Sequence, residues 1–126
     1  MSNCIEITNR AVKVFNNRDI DVNALRALVA SVCDLPDAPK SGDGYIAWWF
    51  LSTADFDSAG NVSVVFGQGR SSHTWRDFRG TLGVLAKFAR RSIRLTFTLR
   101  DIDWDNNSRP GPFTITLEPG GNVLGF

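Results

Sequence analysis

With 126 residues, 43% of them apolar, 21% charged and a formal net charge of +1, the chain has the length of a single domain and is read as one unit over residues 1–126. A chain of this size can bury about two thirds of its unfolded surface, so it needs no metal or disulfide staple. The composition is too apolar for a disordered segment, no apolar run reaches the roughly 18 residues of a membrane span, and the near-neutral charge argues against a simple polyanion binder.

Met1–Glu6 carries no basic stretch followed by an apolar one, so no secretory signal is read and the expected location is the cytoplasm. Cys4 and Cys33 form no C-x-x-C motif, and His73 is the only histidine. That set is too sparse for a zinc site or thioredoxin-type chemistry. Each cysteine falls on an apolar helical stripe, which predicts buried, reduced thiols. No cofactor and no metal are expected.

In chain order, Cys4, Ile7, Ala11, Val12 and Phe15 recur at helical spacing, which predicts a first helix. Ile5 and Ile7 also alternate with polar neighbours, which leaves a short strand open. Asp21 reads as the N-cap of a clearer helix carrying Leu25, Leu28, Val29 and Val32 on one face and ending at Pro36. Residues 36–44 are a loop by their Pro and Gly content. Tyr45–Thr53 is apolar on both alternating sets, the pattern of a central strand covered on both faces. Ser58–Asn61 then turns it into a second strand, Val62–Phe66, in a hairpin.

Beyond Gly67 and Gly69, a third helix is predicted from about Thr74 to Arg91. Trp75, Phe78, Leu82, Leu85 and Ala89 form its buried stripe, and Thr74 and Asp77 stand at N-cap and N3 spacing. Ile93, Leu95, Phe97 and Leu99 alternate with Arg94, Thr96, Thr98 and Arg100, and Phe113, Ile115 and Leu117 alternate with Thr114, Thr116 and Glu118. These are two half-buried antiparallel strands joined by a polar loop. The resulting expectation is an α+β fold of order α-α-β-β-α-β-β, with a four-stranded, possibly five-stranded, antiparallel sheet and two or three helices on one face. With a strand at the start, the order becomes a ferredoxin-like split βαβ.

Charge is segregated. Residues 70–100 hold Arg70, Arg76, Arg79, Lys87, Arg90, Arg91, Arg94 and Arg100 against Asp77, and residues 19–57 hold seven aspartates against Arg26 and Lys40. Either the two segments lie side by side and neutralise each other, or the basic one is an anion-binding surface. Arginine predominates, and its planar fork suits paired contacts with carboxylate or phosphate. Gly67, Gly69, Ser71, Ser72 and His73, with Arg70, sit between a strand and a helix. They could cradle an anion on backbone N–H groups, or simply let the chain turn. Neither a phosphate-loop nor a dinucleotide fingerprint is complete there. Asp101, Asp103 and Asp105 begin like a calcium loop, but Pro112 stands where the bidentate Glu is required.

Ser71 or Ser72 beside His73 is a poor nucleophile arrangement, because sequence neighbours rarely aim their side chains at each other. Asp55 and Asp57 read as turn formers. Trp49 and Trp75 are expected in the core. Trp48 and Phe50 are expected on the opposite sheet face, among Arg94, Thr96, Thr98 and Arg100, as a platform for a peptide or for bases. These features point to a non-catalytic intracellular binding protein that occupies a macromolecular partner, of the inhibitor, immunity or phage counter-defence type. A protein is the favoured partner. The alternative is a nucleic-acid-binding module using residues 70–100 and the sheet face.

Overall fold

The computed structural model of the protein describes residues 4–7, 11–66, 73–101 and 111–125. Its class is α+β, built on two antiparallel sheets rather than the single four-stranded one expected. The segment expected to open with a helix forms two strands, β1 (Cys4–Ile7) and β2 (Ala11–Phe15). Its β-branched residues favour this, and the helical recurrence of apolar residues is incidental: Val12 and Val14 are exposed while Ile7 and Phe15 are buried.

The first helix, α1 (Val22–Cys33), begins as expected, with the Asp21 carboxylate accepting from the Ala24 N–H at 3.1 Å. Val22, Leu25, Val29 and Val32 are buried. Cys33, at its last turn, is exposed and free, against the expectation of a buried thiol. Removing the cap by Asp21→Ala should cost about 0.5–2 kcal/mol in urea unfolding, and Asp21→Asn, which keeps a capping oxygen, should retain most of it.

The largest departure lies at residues 45–53. They form no strand. Helix α2 (Gly42–Ile46) runs directly into a π-helical turn, Ala47–Leu51. Ile46, Ala47 and Leu51 are buried while Trp49 is 46% exposed, and two buried neighbours in succession do not fit the alternation of a strand. An unbroken apolar stretch carries no period of its own, which is why alternation misled here.

Strand β3 (Asp55–Phe56) takes the place of the expected hairpin partner for β4 (Val62–Phe66). The turn between them is organised by Asp57, whose carboxylate accepts from the N–H groups of Ala59 and Asn61, each at 2.9 Å. These bonds, the Asn61 N–H foremost, hold the Asp57 carboxyl below the usual aspartate range. On its other side β4 pairs with β2, giving a three-stranded sheet of order β2-β4-β3.

A two-residue strand, β5 (His73–Thr74), precedes α3 (Trp75–Lys87), which is shorter than the expected span to Arg91. Strands β6 (Ile93–Asp101) and β7 (Gly111–Glu118) pair as the alternation predicted, with Leu95 opposite Ile115 and Phe97 opposite Phe113. The chain returns in β8 (Asn122–Leu124), and the second sheet has the order β5-β1-β6-β7-β8. Neither the α-α-β-β-α-β-β order nor the ferredoxin-like alternative describes this arrangement, because two strands precede α1 and the chain divides between two sheets.

One core serves all of it. Phe66 from β4, Phe78 from α3 and Phe97 from β6 meet edge to face, with centroids 4.9–6.0 Å apart. Lys13 ties the two sheets together by donating to the Thr96 carbonyl at 2.7 Å, with its ammonium 4.8 Å from the Phe97 ring centre. No helix among the described residues is long and apolar enough to cross a membrane.

Candidate functional site

Residues 19–21 and 88–90 run past each other as a short antiparallel contact: the Asp21 N–H donates to the Phe88 carbonyl at 2.8 Å, the Arg90 N–H to the Asp19 carbonyl at 2.7 Å, and Ile20 bridges Ala89. This contact replaces the expected last turn of α3, and it carries the charges with it. Arg90 pairs with Asp21 at 3.5 Å and Arg91 pairs with Asp19. One layer away, Lys87 reaches both carboxylate oxygens of Asp43 at 2.7 and 2.9 Å. At these three cations the acidic and basic segments neutralise each other. All three pairs are at least partly exposed on the cation side, so each contributes little to stability.

The remaining basic residues divide by position. Arg94 is exposed on the outer face of β6, in register with Thr116. Arg100 is placed by its backbone opposite Glu6, and His73 by its backbone opposite Ile5. Gly67, Gly69, Arg70, Ser71 and Ser72 lie outside the described residues, as do residues 102–110, which include Asp103 and Asp105 of the calcium-like spacing. Among the described residues, no group of three or more His, Cys, Asp or Glu side chains is arranged to hold a metal ion.

Trp48 and Phe50 do not stand on the sheet face with Arg94, because their segment is helical. Phe50 is turned inward, where it lines a cavity of about 20 Å³ with Phe78 and Thr81. Trp48 packs edge-on against Trp49 at 5.0 Å, and Trp49 is a surface residue instead of a core one. The expected platform is therefore not assembled. Trp75 is half-buried, and packs against the core beside Phe78 and Phe113 at 6.2 and 5.5 Å.

Arg76 and Arg79 are exposed on the outer face of α3 and open onto a groove of about 1370 Å³. Helix α2 forms one wall with Tyr45 and Ile46, and Trp75 and Phe113 form another. The floor is α3 itself, along Arg76, Arg79, Gly80, Gly83 and Lys87, positions three and four apart that share one helix face. Lining cations outnumber aspartates four to two, counting Lys40, Arg76, Arg79 and Lys87 against Asp43 and Asp77. With Lys87 and Asp43 held to each other, the lining cations beyond that pair are Lys40, Arg76 and Arg79, beside Asp77.

Arg76 and Arg79 belong to the sequence-derived set. Tyr45, Phe113, Gly80 and Gly83 do not, although the glycines and cations of α3 recur at helical spacing and could have been read as a face. No protein-family model matches the chain, and no characterised protein or solved structure matches it either.

Proposed function

We propose that this chain is a binding protein without catalysis, acting by occupying a surface of a protein partner through the groove between α2 and α3. The observation that carries this reading is the composition and size of the groove. Its volume of about 1370 Å³ exceeds the roughly 300–1,000 Å³ of small-molecule pockets. Its lining combines Tyr, Trp and Arg, the residue types that dominate binding energy at protein interfaces, because they bring large area or a rigid donor fork at modest entropic cost.

A nucleic-acid reading calls for a continuous cationic track. The pairing of Arg90, Arg91 and Lys87 with Asp21, Asp19 and Asp43 breaks that track and supports a protein partner instead. An inhibitor or immunity-type role is one form such occupation would take.

The test is charge reversal at the exposed arginines of the groove, Arg76→Glu with Arg79→Glu, and Arg76→Glu alone. Affinity for the partner retained from lysate of the source cells should fall about tenfold to a hundredfold, or about 1.4–2.8 kcal/mol, with the melting temperature held. Unchanged retention by both variants would place the working surface elsewhere. Tight binding of single- or double-stranded DNA by the wild type, falling steeply with salt, would favour the nucleic-acid reading.

A further inference from the structure

Two glycines interrupt the groove face of α3, and the packing of the described residues accounts for only one of them. At Gly80 a Cβ would stand 2.8 Å from Ile46 Cδ1, so the bare position lets α2 close onto α3. At Gly83 a Cβ would meet nothing within 4 Å, and the position opens into the groove. Glycine is a poor residue for a helix interior, since it gives up the most backbone freedom on folding and packs nothing. Packing among the described residues supplies no reason for Gly83. A bare backbone at the floor of a groove is what close approach by another molecule requires.

Arg76, Gly80 and Gly83 fall on one stripe of α3, with Arg79 a turn before Gly83, so these arginines and the bare position face the same groove. Tyr45, Trp75 and Phe113 supply apolar surface in the same groove. An anionic ligand bound by charge alone would have no use for such a notch. An apolar side chain flanked by carboxylates would use both parts at once, the carboxylates meeting the arginine forks and the apolar group lying on the helix backbone.

We infer that the occupant of the groove is an acidic peptide segment of a protein partner, and that Gly83 determines specificity by leaving room for that segment's apolar anchor. This rests on the reading of the groove as the partner site. It commits further, to the chemistry of the occupant and to one position that sets its depth.

The experiment uses the full chain and a short labelled peptide of glutamates around a central Leu-Trp pair, followed by fluorescence anisotropy. Control peptides carry lysines for the glutamates, or serines for the Leu-Trp pair. The wild type should bind the glutamate peptide saturably and each control at least about tenfold more weakly. Gly83→Leu, which fills the notch with a good helix former, should weaken binding at least about tenfold without lowering the melting temperature. Gly83→Ala should fall between the two in affinity.

Equal binding by Gly83→Leu and the wild type, equal binding of the lysine peptide, or no binding of the glutamate peptide at any soluble concentration would overturn the inference. So would a dimer of this chain that Gly83→Leu abolishes, since the occupant would then be a second copy. If reversal at Arg76 and Arg79 abolishes partner retention while Gly83→Leu leaves it intact, the groove reading stands and this inference falls. If neither substitution touches retention, the groove reading falls as well.

Discussion

Phe97→Ala should cost about 3–5 kcal/mol in denaturant unfolding, the range for deleting a buried aromatic ring. Phe97 is 2% exposed and lies where the two sheets and α3 converge, with Phe66 and Phe78 edge-on to it. The walls of the resulting cavity would belong to separate hydrogen-bonded elements, so none can move in to fill it without breaking its own ladder or helix. The Lys13 ammonium would also lose the ring beside which it is held. Phe97→Leu retains most of the volume and should cost clearly less. A loss below about 1 kcal/mol for Phe97→Ala would mean that the two sheets do not depend on a shared core.

Leu82→Ala should follow closely, at about 2–5 kcal/mol. Leu82 is 0% exposed and stands at the centre of the buried stripe of α3, between Phe78 and Leu85. Against the roughly 5–15 kcal/mol that a domain of this kind has in total, either substitution takes a large share. Leu35→Ala is the matched control: its side chain is 43% exposed beyond the end of α1, and its loss should stay within about 0.5 kcal/mol. Equal effects at Leu82 and Leu35 would show that the facing of α3 is misassigned.

The parts of the fold that were legible in the sequence are those where one face meets water. β6 and β7 alternate cleanly because Arg94, Thr96 and Thr98 are exposed while Leu95, Phe97 and Leu99 are buried. α1 was legible through its stripe and through Asp21. Both failures arose where that contrast was weak. Tyr45–Thr53 is apolar throughout, and what distinguishes its sides is the partial exposure of Trp49, which composition does not encode. In the first fifteen residues, two short strands that belong to different sheets produced a joint spacing that imitates a helix.

The site was half legible for a related reason. Segregated charge pointed to the basic segment, and Arg76 and Arg79 do reach the groove. Which arginines are taken up internally depends on the contact between residues 19–21 and 88–90, a long-range pairing with no local signature. Phe113 and Tyr45 read as ordinary apolar positions until the sheet and α2 bring them to one rim.

The sheet order also sets the sequence in which the protein can assemble. β1 sits between β5 and β6, with Ile5 opposite both His73 and Asp101. A strand made early is thus flanked by two made late, and neither of its edges can be covered until most of the described chain has left the ribosome. At roughly 5–20 residues per second that delay is on the order of 5–20 s, during which a short β-branched strand is open to pairing with other chains. Yield on expression should therefore respond to the rate of synthesis and to chaperone supply more strongly than the equilibrium stability of the finished protein suggests.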